Sequence, residues 1–445
     1  MTEGTSTLGV AVVGCGTVGG ATAMLLTRHG DILGSRVGPR LQLRHVVDVD
    51  LTHARQLGLD EELLTDDLEK ALADEGVGAV AELVGGTTAA KDIIERALRA
   101  GKHVVTANKA LLAHHGEQLY ALARKNGTCL AFEASCAGGI PILRALSDGL
   151  IANRIDALYG IVNGTCNYIL TAMTQHGRTY ADALAAAQAD GLAEADPTLD
   201  VAGIDSAHKL AIMASIAFGA KIDFDAIPVA GIDSLELCDL AYGQELGYVI
   251  KLLAIATRQA DGLSLQVGPA FISKEHPLAW VSGSFNAVSV YGHATGHTMY
   301  YGRGAGPMPT GSAVVADLAA VAMGTAQRHF NELNVWPDRN EPARQLPIAA
   351  ARSRHYLRVM CEDHPGVLAQ IAAILGRCDI SIASVLQHEP PEDGEGDAVP
   401  VVITTHRALA GDVTKALTDV NALTVVKAKS VCIPIVEEYP EKLSA

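Results

Sequence analysis

The chain has 445 residues, 49% hydrophobic and only 4% aromatic, a length that suggests about three domains at roughly 150 residues each. Fifty acidic residues against 34 basic ones give a net charge of −16. With no basic cluster and few aromatic rings for stacking, nucleic acid is excluded as a partner. Eight scattered cysteines, none in C-x-x-C spacing, read as buried apolar groups in a reducing compartment. The N-terminal MTEGTSTLG lacks the charged and apolar parts of a signal peptide, and no stretch reaches the ~18 uninterrupted apolar residues of a membrane span. A soluble, cytoplasmic protein without a membrane partner is expected.

Leu8–Val13 is a valine-rich apolar run that ends at Gly14-Cys15-Gly16-Thr17-Val18-Gly19, and Gly20–Arg28 follows as an apolar helix. Strand, glycine turn and helix in this order suit a dinucleotide: one glycine makes the turn, one lets the pyrophosphate approach, and one lets helix pack on strand. Gly14, Gly16, Thr17, Val18 and Gly19 are therefore candidate cofactor residues. The second strand, Leu41–Val47, runs into Asp48-Val49-Asp50. A carboxylate here bonds the ribose 2′-hydroxyl of NAD and repels a 2′-phosphate. Asp48 or Asp50 tilts the choice toward NAD, although Arg44 and Arg55 nearby leave NADP open.

Strands at Ala79–Leu83, His103–Thr106 and Cys129–Phe132 alternate with helices at Ala89–Ala100 and Gly116–Asn126, which predicts a parallel, doubly wound sheet. Ligands lie outside the carboxyl ends of such strands, where Gly85-Gly86-Thr87-Thr88 and Thr106-Ala107-Asn108-Lys109 fall. Thr87, Thr106 and Lys109 join the cofactor candidates, and Lys109 is within reach of a reacting centre. The bend Glu133–Pro141 sets one carboxylate among glycine-flanked carbonyls, on its own a minor candidate for a hard cation.

After this Rossmann-type unit (residues 1–142), residues 143–310 read as an α+β substrate domain. Its strands are Ala157–Val162, Val249–Ala256, Leu263–Val267, Ala287–Tyr291 and His297–Tyr301, and its helices are Asn167–Met173, Tyr180–Asp190 and Asp200–Phe218. Asn163–Asn167 and Gly302–Gly306 are loops suited to small-molecule contacts, Gly306 being a further cofactor candidate. Residues 311–333, with a helix over Ser312–Met323, return to the first domain. A linker (334–352) leads to residues 353–445. There, His355–Cys361, a helix over Pro365–Gly376, Ile380–His388, Val399–Thr405, a helix over Ala410–Thr418 and Leu423–Cys432 give the βαββαβ order of a ferredoxin-like fold. The insert Glu389–Asp397 reads as an acidic hairpin tip.

Chemistry concentrates in Gly191–Leu210, GLAEADPTLDVAGIDSAHKL, which carries Glu194, Asp196, Asp200, Asp205 and Lys209. Asp205 and Lys209, four residues apart, share one face of a helix that is apolar nearly all round. A charged couple on a buried helix is either a structural ion pair or a catalytic one, and the spacing alone fits both.

GCGTVGG, TANKALLA, FEASCAGGIPI, GIVNGTCNYIL, GLAEADPTLDVAGIDSAHKL and GRGAGPMPTGSAVVADL together closely resemble the homoserine dehydrogenases that carry a C-terminal ACT domain, over essentially the whole chain. The resemblance implies NAD(P)-dependent interconversion of homoserine and aspartate 4-semialdehyde, on the route to threonine, methionine and isoleucine. It places the family's essential lysine and aspartate on Lys209 and Asp205, its second lysine on Lys109, and its substrate carboxylates on Glu194 and Asp200. It further implies a sodium-type cation at Glu133 and the carbonyls of Cys136, Gly138 and Ile140. In the last domain, the loop Asp363-His364-Pro365-Gly366-Val367-Leu368 matches the ACT effector loop, so Asp363, Gly366, Val367 and Leu368 are regulatory candidates, with threonine the expected ligand. Asp196 has no assigned role.

Two rival readings differ in class. Aspartate-semialdehyde dehydrogenase needs an activated cysteine nucleophile, and no cysteine here has that context. A non-catalytic amino-acid sensor would not need Glu194, Asp205, Lys109 and Lys209 together. An open ferredoxin-like sheet edge favours pairing, so a homodimer or homotetramer is expected.

Overall fold

The computed structural model describes residues 7–28, 30–388 and 398–440. The acidic insert Glu389–Asp397 lies outside the described residues. Six parallel strands, β1 (Thr7–Val13), β2 (Arg40–Val47), β3 (Leu64–Thr65), β4 (Val77–Glu82), β5 (His103–Thr106) and β6 (Leu130–Ala131), form one sheet in the order β3-β2-β1-β4-β5-β6. This is the Rossmann arrangement, with its crevice where the order reverses between β1 and β4. The continuous apolar sequence of β1 follows from burial on both faces: Val10, Ala11 and Val12 are wholly inaccessible.

A second, mixed sheet is built from β7 (Ile155–Ile161), β8 (Tyr248–Gln259), β9 (Gly262–Ser273), β10 (Phe285–Gly292), β11 (Gly296–Arg303), β12 (Arg352–Cys361), β13 (Ile382–Leu386), β14 (Val399–Thr405), β15 (Ala408–Leu409) and β16 (Val431–Val436). Its order is β11-β10-β7-β8-β9-β16-β12-β14-β13, with β15 off the path beside β12. The last four strands of that path are the ACT domain in ferredoxin-like order. The helices Val367–Arg377 and Ala410–Asn421 cover them, and Leu357, Val359, Ile371, Leu375, Ile403 and Val420 belong to a core of the domain's own.

The ACT sheet continues the substrate-domain sheet. Parallel pairing of Ile435 with Phe271 and of Val436 with Ile272 joins β16 to β9. The helix Leu237–Glu245 fastens the junction from one side, because its Asp239, fully buried, accepts from Arg358 Nε (2.6 Å), Arg358 Nη2 (3.0 Å) and the Tyr356 hydroxyl (2.9 Å). The helix Pro307–Ala322 crosses back onto Thr17–Arg28, where a Cβ on Gly311 would lie 3.2 Å from the Ala21 Cβ; that close approach needs glycine.

Three of the departures from the sequence expectation have a clear physical cause. The single helix expected over Asp200–Phe218 is two, Thr198–Val201 and Ile204–Phe218. Gly203 breaks it with φ +83°, and a Cβ there would sit 3.1 Å from the Ala230 carbonyl oxygen. The final strand lies at Val431–Val436 instead of Leu423–Cys432, because only that stretch reaches both β12 and β9. The helix expected from Gly116 begins at Lys109, capped by Asn108, whose side chain accepts from Leu111 N–H at 3.1 Å. Among the described residues, no helix is long and apolar enough to cross a membrane.

Candidate active site

The glycine turn has the form a dinucleotide needs. Gly14 turns with φ +94°, and a Cβ on Gly19 would lie 1.8 Å from the Gly14 carbonyl oxygen, so the helix packs hard against the strand. Gly16 is exposed and has nothing within 4 Å of where its Cβ would be, leaving a cradle for phosphate at the N-terminus of Thr17–Arg28. Asp48, at the end of β2, accepts from Cys15 N–H at 2.5 Å, so the acidic residue and the turn are fixed to each other. Arg44 and Arg55 are committed elsewhere, to Asp74 (2.8 Å) and Glu61 (2.9 Å). Asp50 accepts from Thr52 N–H at 2.9 Å and starts the next helix.

Thr87 stands before the helix Thr88–Arg99 and Gly306 before Pro307–Ala322, and Thr106 ends β5. Thr106 donates its hydroxyl to Glu82 Oε2 (2.7 Å), and the other Glu82 oxygen accepts from Val84 N–H (3.0 Å). Burial pushes the Glu82 carboxyl up, with Thr106 and the Val84 N–H opposing. Thr106 Oγ1 also accepts from Asn108 N–H (3.0 Å), and Asn108 Nδ2 donates to the Gly86 carbonyl (2.6 Å). Glu82 thus ties the Gly85-Gly86 loop to the loop that carries Lys109. The sequence reading missed it because a strand-ending Glu shows no distinctive spacing.

A cavity of about 330 Å³ opens beside these loops, lined by Gly85, Asn108, Lys109, Glu194, Asp205 and His208 among others. At its floor Asp205 receives two lysines. Lys209 Nζ lies 2.7 Å from Oδ2 and Lys109 Nζ lies 3.1 Å from Oδ1. Lys209 Nζ also donates to the Val162 carbonyl (2.7 Å). Asp205 is 6% exposed; burial alone would raise its carboxyl, but the charges of Lys209 and Lys109 overcome this and hold it well below the usual range. Asp205 in turn is the main cause that raises Lys109. Lys109, its side chain 40% exposed, lines the cavity together with Asp205.

Asp200 joins from the short helix Thr198–Val201. Asn163 Nδ2 donates to its Oδ1 (2.7 Å) and to Asp205 Oδ2 (2.9 Å), and Thr165 Oγ1 lies 3.0 Å from its Oδ2. Glu194 and Asp196 stand exposed on the rim, where Asp196 accepts from the Thr198 N–H (3.1 Å) and hydroxyl (2.5 Å) and starts the short helix. His208 stacks on Phe224 (4.7 Å, 18°), and burial, then the neighbouring His114, lower its imidazole to about 4. It therefore faces the cavity uncharged at neutral pH. Val162 escaped the sequence reading, and Asn163 entered it only as part of a loop suited to small-molecule contacts. An Asn directly before a helix is a legible cap, but its reach to Asp200 and Asp205 is tertiary.

In the Glu133–Pro141 bend, Ala137 (φ +52°) and Gly138 (φ +32°) are left-handed. Both Glu133 oxygens accept backbone N–H groups, from Leu143 and Arg144, each at 2.9 Å. Burial, then the neighbouring Asp317, pushes the Glu133 carboxyl up to about 7. Cys136 Sγ lies 3.8 Å from the Lys209 carbonyl oxygen, so this bend lies against the helix Ile204–Phe218. In the ACT domain, Gly366 turns with φ +95° before the Val367–Arg377 helix, Val367 is buried, Leu368 is 39% exposed, and Asp363 accepts from Gln387 Nε2 (3.3 Å).

A Rossmann crevice beside a lysine–aspartate–lysine cluster, in a chain that also carries a ferredoxin-like domain, points to the class of dinucleotide-dependent oxidoreductases. Comparison with known proteins narrows the class. Residues 141–319 match the homoserine dehydrogenase family model, residues 14–133 the homoserine dehydrogenase NAD-binding domain, and residues 355–422 the ACT domain. The homoserine dehydrogenase of Pseudomonas aeruginosa is 43% identical, covering 96% of this chain and 98% of its own length. That of Bacillus subtilis is 38% identical, with 94% and 96% covered. The crystal structure of a homoserine dehydrogenase from Thiobacillus denitrificans superposes with a TM-score of 0.91 at 40% identity, covering 97% of this chain and 99% of that one. The chain belongs to the homoserine dehydrogenase family, NAD(P)-dependent enzymes that interconvert L-homoserine and L-aspartate 4-semialdehyde.

Proposed function

We propose that Lys209 is the proton-transfer group of this reaction, with Asp205 holding it in place and Lys109 sharing the charge on the reacting oxygen. The observation that carries this reading is the single carboxylate bridging two lysines at 2.7 and 3.1 Å on a buried helix beside the cofactor crevice. A bound nicotinamide supplies the hydride to the aldehyde carbon, or accepts it from the alcohol. As negative charge builds on the aldehyde oxygen, a lysine ammonium stabilises it and donates the proton; in the oxidative direction a neutral amine takes the proton back. Glu194 at the rim holds the substrate ammonium group, and Asp200 orders the polar wall opposite Lys109. Gly14, Gly16, Thr17, Val18, Gly19, Thr87, Thr106 and Gly306 line the path of the dinucleotide.

NAD is the favoured cofactor in this reading, because Asp48 stands where a 2′-phosphate would lie and neither Arg44 nor Arg55 is free to meet one. A monovalent cation, sodium by family likeness, would be held by Glu133 and the carbonyls of Cys136, Gly138 and Ile140. These are hard oxygen donors, and a cation there would offset the burial and the Asp317 charge that push the Glu133 carboxyl up. Threonine is the proposed effector, at Asp363, Gly366, Val367 and Leu368, beside β13, which among the described residues is an edge strand to which a second ACT domain can pair. A homodimer or homotetramer is proposed on the same ground. The domain limits are proposed as 1–142 with 311–333, 143–310, a linker at 334–352, and 353–445.

Initial rates of homoserine oxidation with NAD+ and NADP+, with and without threonine, test activity, cofactor and regulation in one series. Lys209→Ala is expected to lose at least about 100-fold in kcat, the scale of a general acid–base group. A folded Lys209→Ala enzyme with wild-type turnover would refute the assignment.

A further inference from the structure

We propose that Asn163 is the positioning residue of the reacting centre: its amide clamps Asp200 and Asp205 together and sets the direction in which Asp205 meets Lys209. The inference deepens the reading of Lys209 and Asp205 above and rests on it.

Asn163 follows β7 after one intervening residue, Val162, and is 5% exposed. Its Oδ1 accepts from Cys166 N–H at 2.8 Å and caps the helix Gly164–His176. That bond settles the orientation of the amide. Turned over, the side chain would set NH2 against a backbone N–H and its oxygen against two carboxylates. With Oδ1 held by the cap, the two hydrogens on Nδ2 face Asp200 Oδ1 (2.7 Å) and Asp205 Oδ2 (2.9 Å), one for each carboxylate.

Asp205 Oδ2 therefore accepts from both Asn163 Nδ2 and Lys209 Nζ, while Oδ1 is turned to Lys109. Without the clamp the carboxylate rotates about its last bond and two like charges lose the donor between them. The neighbouring Val162 supplies the carbonyl that fixes the other side of Lys209 Nζ at 2.7 Å. One turn thus sets both oxygens around the proton-transfer group. The turn itself has little freedom, since a Cβ on Gly164 would stand 2.8 Å from the Ser284 carbonyl oxygen.

The cap and the clamp are separable by substitution. Serine is a good helix N-cap but too short to reach both carboxylates. Aspartate also caps and matches asparagine in shape, yet has no hydrogens to give. Asn163→Ser, Asn163→Asp and Lys209→Ala are compared with the wild type by thermal unfolding and by initial rates of homoserine oxidation with both substrates varied. Asn163→Ser is expected to unfold within about 2 °C of the wild type, to keep its dinucleotide KM within about twofold, and to lose roughly 10- to 100-fold in kcat; Asn163→Asp is expected to lose at least as much. Asn163→Asp serves alone if the serine variant does not fold. Wild-type kcat in either folded Asn163 variant beside an inactive Lys209→Ala overturns the role of Asn163 only. Lost activity that comes with an equally lowered Tm and a raised dinucleotide KM overturns it too, as the mark of a structural cap. A folded Lys209→Ala with wild-type kcat removes the catalytic reading and the Asn163 role together.

Discussion

Replacing Asp205 by asparagine keeps its shape and removes the one negative charge between two lysines. At 2.7 Å from Lys209 and 3.1 Å from Lys109, the lost attractions are about 6 and about 5 kcal/mol at an effective dielectric of ~20. Lys109 has a 40% exposed side chain, so solvent screens most of its share; the Lys209 side chain is 10% exposed and keeps more. Asp205 is the main cause that raises Lys109; with about two-thirds of that attraction screened by solvent, its loss disfavours the Lys109 ammonium by ~1.7 kcal/mol, or ~1.2 pH units. The sign is set by the chemistry. Homoserine oxidation needs a neutral amine, and removing the carboxylate lets the pair give up its proton at lower pH. The acidic limb of kcat/KM for oxidation is therefore expected to move down by ~1–2 pH units in Asp205→Asn, and the alkaline limb for aldehyde reduction to move down with it. The maximal rate falls as well, because the amide no longer aligns both lysines. Rate profiles measured in both directions with isosteric buffers check this. Limbs that stay in place, or move up, would mean that Asp205 does not govern the lysines electrostatically.

Two further outcomes follow from other parts of the molecule. Arg358→Met strands Asp239 with no counter-charge at 0% exposure, a loss of about 3–5 kcal/mol for a broken buried pair. The ACT junction is expected to open to limited proteolysis while dinucleotide binding, far from it, is kept; equal protease resistance would contradict the junction energetics. Asp48→Ser removes the carboxylate that a 2′-phosphate would meet, so the NADP+ to NAD+ ratio of kcat/KM is expected to rise about tenfold, roughly 1.4 kcal/mol. An unchanged ratio would show that Asp48 does not select the cofactor.

The positions that only geometry reveals are those whose partners are distant in sequence. Val162 and Asn163 lie more than 40 residues from the Lys209 and Asp205 they bond, and Glu82 meets Thr106 only because β4 and β5 pair in register. Asp48 is a mixed case. Its place after the second strand marked it from the sequence, while its bond to Cys15 N–H and the commitment of Arg44 and Arg55 to other carboxylates emerged from the fold.

From the sequence alone came the local features. The glycine turn, the valine-rich strands and the βαββαβ order are set by short-range sterics and apolar periodicity, so they can be read without coordinates. Asp205 and Lys209, four residues apart on an apolar helix, were legible as a couple for the same reason, and their spacing alone fitted a structural pair as well as a catalytic one. Only the tertiary structure decided what surrounds that couple. It brought Lys109 from the end of β5 to the far side of Asp205, placed a cavity in front of it, and set Asn163 and Val162 behind it. It also joined the ACT sheet to the catalytic one through two residue pairs near the C-terminus. Charge and hydrogen bonding act through space, and the distances that give them strength exist only after the chain has packed.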